Sequence, residues 1–411
     1  MKKYSFVTVI LSLVFLAFTY WTEKDVFVNE NYVFAQKQLK HLLDTANKVD
    51  TLFPRTTGKG GQVLLTNKYE WTSGFFAGSL WYAYELGKDE DMRKQAIKWT
   101  EKLEPLKNFT EHHDLGFMMY CSYGNAYRLT KNIKYKEVLI QAAKSLSTRY
   151  SPKTGSIRSW NRFGSWDGQH KYDFPVIIDN MMNLELLFFA SKVTGDPTYK
   201  NIAITHANNV IKNQIRPDYS CYHVVCYDPQ TGKVLAKETA QGYANNSTWA
   251  RGQSWGIYGF TMAYRETGDK RYLETAQKMA QFYINHANLP ADGVSYWDFN
   301  ANQNGYLPSV NSHAPETPTN YRDVSAATVT ASALLELSTF KVPDAANYRN
   351  AGIKILHSLS SPVYRAQPGK NGGFLLKHSV GSIAHGVEID VPLVYADYYF
   401  LEALNRYKLL N

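Results

Sequence analysis

One pattern in the sequence constrains the fold more than any other. A stretch of aromatic, apolar and small residues, a short turn, and an amphipathic stretch that usually opens on Tyr recur along the chain. Residues 73–85 pass through Leu86-Gly87-Lys88 to 92–103, and residues 115–128 pass through Leu129-Thr130-Lys131 to 135–146. Residues 180–192 pass through Thr194-Gly195-Asp196 to 199–211, and 250–265 pass through Thr267-Gly268-Asp269 to 272–286. Residues 325–338 and 348–359 flank a turn at Pro343-Asp344, and 394–409 read as a sixth first member whose partner is 33–49. The first member of each pair is apolar nearly all round and belongs in a core; the second faces water on one side. Six such hairpins predict an all-α (α/α)6 toroid over residues 31–411, a single domain with an inner ring of buried helices inside an amphipathic outer ring. The long connections 151–175, 216–248 and 288–320, rich in Gly, Pro, Asn and Trp, are where function concentrates in such a domain.

In that arrangement all inner helices run the same way, so their N-termini ring one mouth of a central pit. The residues at or just before those N-termini are Trp71 and Phe75, Asp114, Asp179, Trp249 with Arg251 and Trp255, Arg322 with Asp323, and Asp390. Asp114 and Asp179 carry two readings. An Asp before an apolar helix is a common N-cap, worth roughly 0.5–2 kcal/mol. Two carboxylates around one pit are also the equipment of glycoside cleavage, in which one must hold a proton near neutrality. The helix dipole opposes that proton, whereas burial and a neighbouring carboxylate favour it. His113 reads as a ligand-binding group or a loop residue. Arg251 can grip a carboxylate with its planar fork, or can sit salt-bridged beside packing tryptophans. No spacing of His, Asp or Glu matches a metal site, and no cofactor is expected.

Composition narrows the class. Aromatic residues make up 14% of the 411, with 30 Tyr and 9 Trp, an excess suited to stacking on sugar rings. The net charge of +9 has no run of five like charges and no nucleic-acid motif behind it, so nucleic acid is not an expected partner and an anionic ligand is the sharper reading. A mean hydropathy of -0.38 excludes a polytopic membrane protein. Lys2 and Lys3 precede an apolar run of 15 residues, 7–21, shorter than the ~20 of a spanning helix. Residues 1–22 therefore predict an export signal, periplasmic residence, and no stable membrane association once the signal is removed. Cys121, Cys221 and Cys226 are too few for a disulfide framework and read as free or buried, although Cys221 and Cys226 can pair.

Four segments carry a family resemblance. They are Trp71-Thr72-Ser73-Gly74-Phe75-Phe76-Ala77-Gly78, His113-Asp114-Leu115-Gly116-Phe117, Ile178-Asp179-Asn180-Met181-Met182-Asn183, and the run from Gln241-Gly242-Tyr243 to Trp249-Ala250-Arg251-Gly252-Gln253. Together they resemble glycoside hydrolase family 88, the unsaturated glucuronyl hydrolases, in its Bacteroidetes form. The resemblance implies an (α/α)6 barrel that removes the non-reducing-end 4,5-unsaturated glucuronic acid from lyase-generated glycosaminoglycan oligosaccharides, by hydrating its enol ether. It implies Asp179 as general acid/base and Asp114 as the partner that stabilises and positions. It places His113, His223, Thr239, Gln241, Arg251 and Trp255 at binding positions, with Arg251 on the substrate carboxylate and Trp71, Phe75, Trp249 and Trp255 as stacking walls. The family's Ser- and Lys-bearing pattern linked to sulfate recognition is not evident around 374–382. Three rivals stay open: a hydrolase of unsaturated galacturonyl-rhamnose from pectin, against which segment 71–78 argues, a hydrolase of saturated sugars, and a non-catalytic oligosaccharide-binding protein.

Overall fold

The computed structural model describes residues 22–410, so residues 1–21 of the expected export signal lie outside the described residues. The first helix, α1 (Glu23–Ala46), starts ahead of the expected boundary at residue 31 because Thr22 and Asp25 form a capping box there. Hairpins follow: α2 (Ser73–Gly87) with α3 (Glu90–Glu101), and α4 (Leu115–Met119) running through one π-helical turn, Tyr120–Gly124, into α5 (Asn125–Thr130) and then α6 (Ile133–Ser147). Next come α7 (Asn180–Thr194) with α8 (Pro197–Asn213), α9 (Ala250–Thr267) with α10 (Lys270–Asn285), and α11 (Val324–Leu337) with α12 (Ala345–Leu359). The last helix, α13 (Val394–Leu409), packs back against α1.

The turn residues explain the repeat. Gly195 and Gly268 end α7 and α9 at φ 77° and 71°, a left-handed conformation that costs glycine little. Asp89, Asn132, Asp196 and Asp269 then cap α3, α6, α8 and α10, each side chain accepting a first-turn N–H. Burial follows the two expected patterns: α11 is buried from Val324 through Leu335, whereas α10 buries one stripe, Tyr272, Ala276, Met279, Ala280 and Tyr283. The inner helices pack in the order α2, α4, α7, α9, α11, α13, and α13 packs on α2, which closes the ring. The molecule is an (α/α)6 toroid.

Short antiparallel strands stitch the long connections. Pro175–Ile177 pairs with Val224–Tyr227, which pairs with Val234–Glu238, so two of the expected loops share a three-stranded sheet. Ser379–Ser382 pairs with Val387–Val391. The three cysteines are free and buried, Cys226 within the three-stranded sheet. Among the described residues, no helix is long and apolar enough to cross a membrane.

The ring encloses space at both ends. At the end away from the inner N-termini, a cavity of about 660 Å³ is lined by Tyr82, Glu185, Arg265, Glu402 and Arg406, among others. Its charges satisfy one another: Arg265 pairs with Glu185, Glu266 and Glu336, and Arg406 with Glu336 and Glu402. Phe75, Phe117, Trp255, Tyr398 and Tyr399 form a contiguous aromatic layer between this cavity and the mouth.

Candidate active site

Gly116 is where α4 meets α7: a Cβ there would stand 2.5 Å from the Cα of Asn183. The Oδ1 of Asn183 accepts the Phe117 N–H at 2.8 Å, locking the approach. The residues just before the two helices, Asp114 and Asp179, are thereby brought to one mouth. The three-stranded sheet adds a third group. The Ile178 N–H donates to the His223 carbonyl at 3.0 Å, continuing the pairing of Ile177 with Val224. His223 therefore lies across from Asp179, with Nε2 3.7 Å from Oδ1. Beyond Glu238 the chain returns Ala240 and Gln241, whose N–H groups donate to His223 Nδ1 at 3.1 and 3.2 Å. An Nδ1 that accepts leaves the ring proton on Nε2, facing Asp179.

Neither aspartate caps its helix; no capping hydrogen bond is made by the side chain of Asp114 or Asp179. Both residues are nearly buried, at 9% and 8% exposed. Asp114 has His113 Nε2 at 3.2 Å and His112 Nδ1 at 3.1 Å. Burial works to raise its pKa, but His113, His112 and Arg149 hold it below the usual carboxylate value. Asp179 is pushed up to about 7, first by burial and then by the charge of Asp114, against the pull of Arg251, its own backbone N–H and Trp255. One carboxyl is held ionised and the other protonated around neutrality, the division of labour that acid/base chemistry needs. Burial drives His113 down to about 4, and burial with the charge of Arg251 takes His223 well below its usual value, so both rings are neutral.

Arg251 is not an open fork. Its Nη1 donates to Asp323 Oδ2 at 3.0 Å, to Ser325 Oγ at 3.3 Å and to the Val380 carbonyl; its Nη2 donates to the Gly381 carbonyl at 2.6 Å. Trp249 and Tyr395 pack 4.5 and 5.3 Å from the guanidinium carbon. Only Nε is left without a partner. The Nη1 end is thus spent on Asp323, Ser325 and the Val380 carbonyl, whereas the Nε–Nη2 edge makes one bond, to the Gly381 carbonyl. Gln241 Nε2 donates to the same Gly381 carbonyl at 3.0 Å, and Thr239 Oγ1 accepts the Gly242 N–H at 2.8 Å to shape the turn that carries Gln241.

The aromatic walls also separate into two layers. Trp71 keeps exposed surface, whereas Phe75 and Trp255 are fully buried and Trp249 nearly so. Phe75 meets Trp71 edge-on at 5.7 Å, so it shapes the pit from behind and does not offer a stacking face. Arg322 turns to Asp292 at 3.0 Å, and Asp390 to His378 at 2.6 Å, away from the two carboxylates.

Some site residues carry little sequence signal. Asn183 closes the segment 178–183 and His112 directly precedes the segment 113–117, but both take their roles from distant partners. A cavity of about 550 Å³ opens beside Gln241, lined by Trp160, Arg162, Phe163, Trp166 and His385 among others. Trp160 meets the His223 ring edge-on at 6.4 Å, which puts one wall of this cavity beside the catalytic mouth. The richness of 151–175 in Trp was the available signal for it.

Residues 45–337 match the family model of Glycosyl Hydrolase Family 88. The unsaturated glucuronyl hydrolase of Formosa agariphila is 46% identical over 356 residues, covering 86% of this chain and 84% of that protein. The crystal structure of an unsaturated glucuronyl hydrolase specific for heparin aligns with a TM-score of 0.85 at 45% identity, over 93% of this chain and 97% of that one. A mutant unsaturated glucuronyl hydrolase of Streptococcus agalactiae, complexed with dGlcA-GalNAc6S, aligns with a TM-score of 0.74 at 31% identity, over 94% and 92%. The chain therefore belongs to glycosyl hydrolase family 88 and is a glycoside hydrolase.

Proposed function

We propose that this enzyme removes 4,5-unsaturated glucuronic acid from the non-reducing end of glycosaminoglycan fragments left by polysaccharide lyases. The observation that carries this reading is the opposite tuning of two buried carboxyls, Asp114 held ionised and Asp179 raised to about 7. The names of the relatives, and the disaccharide bound to the streptococcal one, support the substrate class.

The chemistry is a hydration. Asp179 gives its proton to C4 of the enol ether as water adds at C5. The proton that the water loses returns to the Asp179 carboxylate. The hemiketal opens by breaking C5–O5 to a C5 ketone, and the hemiacetal left at C1 collapses to an aldehyde as its bond to the remaining saccharide breaks and the leaving oxygen takes up the hemiacetal proton; one water is consumed and nothing is oxidised. A positioned proton donor of this kind contributes typically ~10²–10⁴-fold. His223 Nε2–H faces the Asp179 carboxyl from 3.7 Å, and ionised Asp114 stabilises the positive charge that develops on the sugar. Trp71 supplies the exposed stacking face, with Phe75, Trp249 and Trp255 behind it. Gln241 and the cavity beside it, with Trp160, take the rest of the saccharide.

We also propose that the chain acts after export, on the strength of Lys2-Lys3 and the apolar run 7–21. N-terminal sequencing from the native host tests this; an intact Met1 on soluble cytoplasmic protein contradicts it. For the activity, the test is decay of enol-ether absorbance on a panel of unsaturated chondroitin, hyaluronan and heparin disaccharides beside unsaturated galacturonyl-rhamnose. Decay on the glucuronyl disaccharides supports the reading. Decay on the galacturonyl substrate alone assigns the enzyme to pectin, and binding without any decay makes it a carrier.

A further inference from the structure

His112 has no part in the reaction above, yet acceptors face both nitrogens of its ring. Its Nε2 lies 3.1 Å from the carbonyl oxygen of Tyr69, and its Nδ1 lies 3.1 Å from Asp114 Oδ2. A carbonyl and a carboxylate can only accept, and the Nδ1 contact is an ion-pair approach and not an aligned hydrogen bond, so a proton on each ring nitrogen is the state in which neither turns a lone pair toward an acceptor. His113 is the contrast. Its Nδ1 lies 3.4 Å from the amide nitrogen of Asn183, whose oxygen is already taken by the Phe117 N–H. That nitrogen donates, so His113 accepts on Nδ1 and presents a neutral Nε2–H to Asp114. Two adjacent histidines thus flank one carboxylate, each facing its own oxygen, and they differ in what holds their second nitrogen.

We propose that His112 is a positioning residue of this enzyme, an imidazolium clamped between the Tyr69 carbonyl and Asp114 that keeps Asp114 ionised and sets the electrostatic field in which Asp179 holds its proton. The surroundings are consistent. The ring meets Phe109 edge-on at 4.7 Å, and the charged and titratable groups acting on it are Asp114, Arg149 and the neutral His113. Arg149 is tied to the carbonyls of Thr110, Arg158 and Ser159 and does not reach Asp114 as a direct partner. Burial and Arg149 oppose a charged ring, but the neighbouring Asp114 carboxylate, with the Tyr69 carbonyl, outweighs them and raises His112 above its usual value. The consequence reaches Asp179. With His112 charged, the pair at Asp114 is close to neutral overall, which limits how strongly Asp114 raises its neighbour.

The proposal rests on the hydration reading above, so it is tested in two ways, one of which needs no turnover. In ¹⁵N-histidine-labelled wild type at pH 7, both ring nitrogens of His112 should read as protonated, while His113 and His223 each show one bare nitrogen. A neutral His112 overturns the proposal whatever the substrate proves to be. The second test is His112→Asn, whose amide can replace the Nδ1–H donor without its charge. Both limbs of the pH–rate profile should move to higher pH, by about one unit for an opposite charge lost at this distance. Asp114 then ionises later, and its unscreened charge raises Asp179 further. A folded His112→Asn enzyme that is slower at every pH, with unmoved limbs, would show that His112 merely supports the loop and contradicts the proposal.

Discussion

His223 Nε2 stands 3.7 Å from Asp179 Oδ1 while the other nitrogen of the same ring is held by the amides of Ala240 and Gln241. The ring faces the carboxyl with an N–H and brings no charge. At that distance it makes no hydrogen bond to Asp179, and it leaves the proton affinity of Asp179 to burial and to Asp114. The site's electrostatics reduce to a few groups, each open to substitution.

Asp179→Asn should fold and bind substrate but lose several orders of magnitude in kcat, the scale of a lost general acid/base. Because Asp179 makes no capping hydrogen bond, the change should leave thermal stability close to wild type. Thermal unfolding beside the absorbance assay checks both. A folded variant with near-normal turnover contradicts the role.

Asp114→Asn should shift the pH dependence as well as the rate. Protonated Asp179 is the active form, so activity falls as pH rises through its value of about 7. The charge of Asp114 is the second-largest cause of that raised value. Neutralising it should move the alkaline limb of the residual activity to lower pH. A limb that stays in place, or moves upward, means that the two carboxyls do not communicate.

Arg251→Ala should act mainly through structure. Arg251 and Asp323 are 1% and 0% exposed, and removing one partner of such a buried pair costs ~3–5 kcal/mol. Arg251→Lys should fall between, since one ammonium can keep Asp323 but cannot also bond both carbonyls, Val380 and Gly381. Denaturant unfolding measures this. A cost below ~1 kcal/mol, the range of an exposed pair, contradicts the assignment.

Asp397 should make the fold less stable above neutrality. It is buried, accepts the N–H groups of Leu375 and Leu376, and is pushed up to about 8 by burial against those two bonds. A carboxyl with a raised folded value contributes stability that is present below its unfolded value of ~3.9 and lost as pH rises through the folded one. Buried neutral His113 and His206, lowered to about 4 and about 3, act with the opposite sign, but only below ~6.5. Between about pH 6.5 and 8.5 the Tm of wild type should therefore fall, and that of Asp397→Asn should fall less. Equal slopes for the two proteins contradict this.

The hairpins were legible because a helix buried on all sides and a helix buried on one side leave different patterns, and because turns such as Thr194-Gly195-Asp196 end one helix and cap the next. Asp114 and Asp179 were legible by position, yet sequence alone does not separate a cap from an acid; only the missing capping bonds and the flanking histidines do. The sheet that sets His223 against Asp179 was hidden because its strands, Pro175–Ile177, Val224–Tyr227 and Val234–Glu238, are too short for alternation to emerge from a loop. The salt-bridge partner of Arg251 was hidden because Asp323 lies 72 residues further on. His112 escaped notice for the same reason, its carbonyl partner Tyr69 being 43 residues away.

The central claim is that the sugar leaves through hydration of its enol ether and not through displacement at the anomeric carbon. The most direct measurement offers the enzyme an unsaturated glucuronyl disaccharide and its saturated counterpart side by side, following absorbance and released sugar together. The account predicts that absorbance disappears in step with sugar release from the unsaturated disaccharide, and that the saturated one stays intact. Comparable cleavage of the saturated disaccharide, or release of an unsaturated sugar that keeps its absorbance, would contradict it.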